Sequence, residues 1–289
     1  MYLPLLLALP LAVAARRIAA HGAPSVAARG LVAAALVAAA SSTWSLTLLA
    51  LTLLDDLPPL SALDNHPTLE LPEPVPGVVA LAAAILWIWG ASRLGKDLRH
   101  RFDTHRRLRA VGSPNAGFVV ADLPSPLAVA VPGRPGHLLV TTGMLRLLDD
   151  DERRVVFAHE RAHLAHRHDR LVAWASAAAA VNPLLARVRD TVTYLVERWA
   201  DEDAAAAVTD RNLVARAVAR AALATTGPGP AAVLGIHSGV AVLRVQALAE
   251  PAPTPQRRRL LGPILLSASF LAATTVATVE FVVLAQAWL

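Results

Sequence analysis

Two histidines four residues apart with a glutamate beside the first, His159-Glu160-Arg161-Ala162-His163, are the residues of this chain best suited to chemistry. On an α-helix, positions i and i+4 lie about 40° apart around the axis, so both imidazoles leave one face and can share a metal ion. Glu160, one step round, can reach a water at the ion's open position, which is the general-base geometry of a zinc hydrolase. A plain amphipathic helix with surface histidines is the competing reading in a chain with 10 His. The surroundings favour the metal. Asp149, Asp150, Asp151 and Glu152 make an acidic helix start, with Asp149 and Glu152 at capping-box spacing. The histidines therefore fall two to three turns inside a helix whose apolar stripe is Val155, Ala158 and Ala162.

A catalytic zinc site needs three protein ligands and one open position. The chain has no Cys, so thiolate ligands and disulfides are excluded and the third ligand is a carboxylate or another histidine. Asp169, six residues past His163, would need a glycine turn after the motif helix, and His166 stands where that glycine belongs. Glu197 is the better candidate, on a separate helix that a short connection folds back against the first. Asp201, one turn later on the same face, can accept the ring N–H of a ligating histidine and fix its tautomer. A solvated helical face is the bland account of Glu197 and Asp201, and the upstream motif tips the balance against it. His166 and His168 extend the histidine run without an assigned role.

The composition places part of the chain in lipid: 289 residues, 55% hydrophobic and only 17% charged, with mean hydropathy +0.48. The net charge of +5 is modest, and the basic clusters flank apolar segments, so they read as topology signals and not as a nucleic-acid surface. Leu3 to Ala15 reads as an uncleaved first membrane helix, Leu31 to Leu54 as a second of 24 uncharged residues, and Val75 to Ser92 as a third. Leu260 to Leu289 is the fourth, with Glu280 its one charge. Asp55 to Pro74 is an acidic, proline-rich loop, whereas Arg16 to Arg29 and Arg93 to Arg109 are basic. The positive-inside rule then puts both termini and the acidic loop outside, and Arg93 to Arg259 in the cytoplasm.

Between the third and fourth spans, Phe118 to Thr142 reads as short strands, with a hairpin turning at Pro132 to Gly136 and leading into the motif helix. An exposed strand edge beside a metal can hold an extended peptide with its scissile carbonyl over the ion. Leu171 to Val181 is apolar but too short to span a bilayer, and Asn182-Pro183 breaks and restarts a helix running to about Val208. Helices from Asp210 and from Ala231 to Ala249 follow, then a Pro-rich linker and Arg257 to Arg259. The expected fold is α+β and mostly helical, with about four transmembrane helices and a cytoplasmic zincin-like domain holding a small β-hairpin or sheet. The expected division is 1–92 for the first three spans, 93–256 for the zinc domain and 257–289 for the last span.

The segments Leu127 to Gly133, Val140 to Leu145, Leu147 to Glu152, Ala158 to His163 and Glu197 to Asp201 together resemble integral-membrane gluzincin peptidases. The pattern is similar to the BlaR/MecR type and to the related HtpX/Ste24-type zinc metallopeptidases. The four spans and Asn182-Pro183 favour the former. The resemblance is close over about Pro126 to Asp203, with a weaker echo at Leu243 to Leu248. It implies one zinc per chain held by His159, His163 and Glu197, with Glu160 activating water and Asp201 orienting a ligand, as the spacing also suggests. It implies a protein or peptide substrate, which in relatives is a transcriptional repressor, and a membrane-lipid environment. The Asp usual five residues after the second histidine is replaced by His168, and no sensor domain follows Leu289 in this sequence. The alternative function is a zinc-binding membrane sensor or scaffold without proteolysis, and a transporter is disfavoured because the spans carry no charge but Glu280.

Overall fold

A computed structural model describes residues 2–20, 22–54, 75–225, 231–253 and 261–288. Four helices among them are long and apolar enough to cross a membrane, at Leu3–Ala20, Pro24–Leu51, Gly77–Arg109 and Leu261–Val283. The first consists of α1 (Leu3–Leu6) and α2 (Ala8–Ala20), and the second is α3 (Pro24–Leu51). The third is α4 (Gly77–Arg109), and the last begins α11 (Leu261–Trp288). The expected number of spans is borne out, but their helices run on. α3 begins at Pro24, seven residues before the predicted Leu31, because Pro is well suited to a first helical turn. α4 continues to Arg109, well past Ser92, because Arg and Leu are good helix formers and the extra turns carry the charges away from lipid. The predicted loop Asp55 to Pro74 lies outside the described residues.

Three strands follow α4: β1 (Phe118–Ala121), β2 (Ala128–Val131) and β3 (His137–Thr141), in the order β1-β3-β2. The hairpin is β2 against β3, antiparallel with Ala128 opposite Val140 and Val131 opposite His137. β1 runs parallel to β3, with Phe118 opposite Leu138. β2 is thus an edge strand. Thr141 closes β3 and caps the short α5 (Thr142–Leu147), its side chain accepting from Met144 N.

The motif helix α6 (Asp150–Ala165) starts with both halves of the predicted capping box, Asp149 accepting from Glu152 N and Glu152 from Asp149 N. It ends where Arg167 turns left-handed at φ 52°, and α7 (His168–Val181) leaves in a new direction. Asn182 caps a short 3-10 turn through Leu184 N, and α8 (Ala186–Val208) returns beside α6. α9 (Arg211–Thr225) and α10 (Ala231–Ala249) close the far side.

α3 is the central post, packed against α2, α4, α7, α8 and α11. One apolar core joins Leu11 of α2, Leu31 and Ala35 of α3, Ala178 of α7, Val188, Val192 and Leu195 of α8, and Phe270 of α11. The apolar stretch Leu171 to Val181, too short to span, lies in α7 against this bundle. Its tip is fixed by Asn182 Nδ2 donating to Ser42 Oγ at 2.9 Å. It also passes α4 so closely that a Cβ on Gly90 would meet the Val181 carbonyl oxygen at 3.0 Å, so the crossing needs glycine.

Candidate metal centre

α6 and α8 pack side by side, and the facing turns carry the chemistry. His159 and His163 sit one turn apart on α6 with their Nε2 atoms 3.1 Å apart. The Glu197 carboxylate straddles them, with Oε2 at 3.4 Å from His159 Nε2 and Oε1 at 3.5 Å from His163 Nε2. Four-coordinate zinc with bonds of about 2.0–2.1 Å spaces its ligand atoms about 3.3–3.4 Å apart, so this donor set fits the ion in both chemistry and size. No other group of three potential ligands comes together among the described residues. Asp169 is exposed on α7, because the chain turns at Arg167 and carries it away from the cluster.

Asp201, one turn after Glu197 and 1% exposed, accepts from His159 Nδ1 at 3.0 Å. Both of its oxygens also accept from Arg244 at 2.7 Å, and Arg244 Nη1 lies 3.1 Å from Glu197 Oε2. Arg244 comes from α10, whose last turn is tied to α8 by Arg211. That guanidinium pairs with Glu202 at 2.6 and 3.1 Å and donates to the carbonyls of Ala247 and Leu248. Sequence reasoning noted an echo around Arg244 without giving it a role. The usable signal was there: between Ala231 and Ala249 it is the only residue of permanent charge, and a charge in an apolar helix needs a partner.

His168 is the second missed residue. The left-handed turn at Arg167 folds it back so that its Nδ1 lies 3.0 Å from His163 Nδ1. His166 pairs with Asp203 at 2.6 Å and stacks on Trp199, and Arg29 of α3 covers the same indole at 4.7 Å.

Glu160 is half-buried and accepts from the backbone N–H of Ala130 on β2 at 2.7 Å, which ties the edge strand to the motif. Burial outweighs its neighbours and pushes its carboxyl up to about 7. Burial alone would lower His159, but hydrogen bonds to Asp201 and Glu197 raise it to about 10. His163 is lowered to about 4, by burial first and by His159 and Arg244 as well. Burial works against Glu197 and Asp201, yet His159 and Arg244 hold both below the usual carboxylate range.

Such a cluster, two histidines and a carboxylate with a second carboxylate alongside, is a metallopeptidase type of site. The comparison with known families agrees: residues 103–219 match the model of peptidase family M48. The resemblance to membrane gluzincins is borne out at that level. Arg244 lies outside the matched residues. No curated protein and no solved structure matches the chain.

Proposed function

We propose that the chain is an integral-membrane zinc metalloendopeptidase acting on a cytoplasmic or membrane-proximal protein, possible regulatory proteins among them. The carrying observation is the convergence of His159 Nε2, His163 Nε2 and the Glu197 carboxylate beside Glu160. In this reading His159, His163 and Glu197 hold one zinc, which when bound supplies Lewis acidity to the scissile carbonyl and to a water. Glu160 takes the proton of that water and passes it to the leaving amine, and its raised pKa suits both steps. Asp201 fixes His159 with its proton on Nδ1, and Arg244 keeps Asp201 ionised. The outer edge of β2, where Glu160 already holds the Ala130 N–H, offers its remaining backbone groups to an extended substrate.

Residues 1–92 and 257–289 form the membrane part and 93–256 the peptidase part, with lipid against exposed apolar side chains such as Ile85, Ile88 and Leu265. The peptidase part faces the cytoplasm and both termini lie outside. Arg29 over Trp199, and Arg198 Nη1 within 3.5 Å of the Ala19 carbonyl, support this, since they bring the basic connection between α2 and α3 to the side of the metal centre. Nucleic acid is not a partner in this reading.

The test compares protein N-termini in cells carrying the wild-type chain or Glu160→Gln, after both are shown to bind zinc equally. Loss of a general base lowers turnover by about 10²–10⁴-fold, so N-termini made by the wild type should vanish in the variant. Identical N-termini across several growth conditions, with zinc bound, would leave a non-proteolytic zinc sensor or scaffold.

A further inference from the structure

His159 and His163 present the same atom, Nε2, to Glu197, but different partners stand behind their Nδ1 atoms. Behind His159 is a carboxylate, Asp201. Behind His163 is another imidazole, His168, at 3.0 Å. His168 is 1% exposed, and its ring lies 4.7 Å from Trp199 and 5.6 Å from His166. Its own Nε2 is buried with no hydrogen-bond partner among the described residues.

The proton positions follow from this network. A histidine that offers a lone pair at Nε2 carries its proton on Nδ1. His163 Nδ1–H must then donate to His168 Nδ1, which is a bare lone pair only when the His168 proton sits on Nε2. That is the nitrogen left without a partner. A buried N–H without a partner is unfavourable by about 1–3 kcal/mol and calls for a reason. Holding His163 in one tautomer supplies it. We propose that His168 is a positioning residue, a neutral acceptor that locks His163 in its Nδ1–H form and aims Nε2 at the metal. One ligand histidine is thus backed by an anion and the other by an uncharged ring. This rests on the reading of His159, His163 and Glu197 as zinc ligands.

A neutral acceptor draws on the Nδ1 proton less than a carboxylate does, so His163 is the less basic ligand and the site carries one negative charge fewer. Zinc affinity of the full chain in detergent, measured by competition with a chromophoric chelator, separates acceptor from packing. His168→Phe keeps a ring against Trp199 but accepts nothing. His168→Asn places an oxygen where Nδ1 stood but loses the ring. His168→Phe should weaken zinc binding by about 10–100-fold, His168→Asn by less than about threefold, and His168→Asp should bind at least as tightly as the wild type. Wild-type affinity in His168→Phe together with a loss in His168→Asn would make the ring mere packing and overturn the proposal. Nitrogen NMR of histidine-labelled wild type needs no variant. The zinc-loaded protein should show His163 protonated on Nδ1, and a proton on Nε2 would refute the assignment. His159→Ala keeps the two readings apart. If it binds zinc as the wild type does, the metal centre itself is misassigned; if it loses zinc while His168→Phe does not, only the role of His168 falls.

Discussion

The two walls of the candidate metal centre are built from opposite chemistry. On the side of α8 and α10, His159 meets Asp201, Asp201 meets Arg244, and Arg244 returns to Glu197, a closed circuit of charge. On the side of α7, His163 meets His168, and His168 lies against the rings of Trp199 and His166, with charge entering only one ring further out, at Arg29 over the indole and at Asp203 paired with His166. The charged wall is strong only while complete, since removing one partner leaves another charge buried. The neutral wall sets geometry at little electrostatic risk. The difference implies that damage to the first should appear as lost stability and damage to the second as lost metal affinity.

The largest effect therefore belongs to Arg244→Met. It leaves Asp201, which is 1% exposed, and Glu197 to share the one cation of His159, and the uncompensated carboxylate should destabilise the zinc-free protein by about 3–5 kcal/mol in chemical denaturation. Adding Asp201→Leu should recover much of that loss, because a pair replaced by apolar groups leaves no orphan charge. His168→Phe keeps an aromatic ring but adds more than a methylene at a buried site, and should change stability by about 1–3 kcal/mol, less than Arg244→Met. Equal losses from Arg244→Met and His168→Phe would erase the contrast between the walls.

The walls should also differ in which proton zinc displaces. His159 is raised from 6.5 to about 10, so in the zinc-free protein it is charged at neutral pH, whereas His163, lowered to about 4, is not. Zinc needs both neutral, so binding should release about one proton, from the charged wall. Affinity should rise by up to about tenfold per pH unit between pH 7 and 9, that is about 1.4 kcal/mol per unit. The same shift stabilises the zinc-free fold: the contribution is full below 6.5 and fades as pH rises through about 10. Asp201→Asn removes one of the two carboxylates that raise His159, the other being Glu197, and should flatten the slope in part. Calorimetry in buffers of different ionisation enthalpy counts the proton, and an unchanged slope in Asp201→Asn would place its source elsewhere.

Most of the charged wall could be read from the sequence, and most of the neutral wall could not. His159, Glu160 and His163 follow from helical period and from the capping box at Asp149 and Glu152, both local rules. Glu197 and Asp201 follow from the same period once Asn182 and Pro183 mark a helix restart. Arg244 depends on how α10 docks, which Arg211 decides from another helix. His168 depends on one left-handed residue that is not glycine: Arg167 turns the chain although the glycine expected for such a turn is absent. A continuous helix would have rotated His168 about 140° and Asp169 about 240° around the axis from His163. The parallel pairing of β1 with β3 is likewise tertiary, since strand periodicity gives strands without partners.

The smallest effect sharpens where the neutral wall ends. Arg29 is an exposed cation on a helix long and apolar enough to cross a membrane, and by sequence it offers nothing more than a topology signal. Its guanidinium nonetheless covers Trp199 at 4.7 Å, and the same indole stacks on His166 at 4.5 Å and touches the ring of His168. If it serves only topology, Arg29→Gln and Trp199→Leu should act independently on stability. If it anchors the stack, a double-mutant cycle should return a coupling of about 0.5–1 kcal/mol, the range of an exposed cation–π contact. Zinc affinity in Arg29→Gln should fall by less than about threefold, well below the effect of His168→Phe, because the His163 to His168 hydrogen bond remains. A coupling near zero with unchanged affinity would end the neutral wall at Trp199 and leave α3 without influence on the metal through this contact.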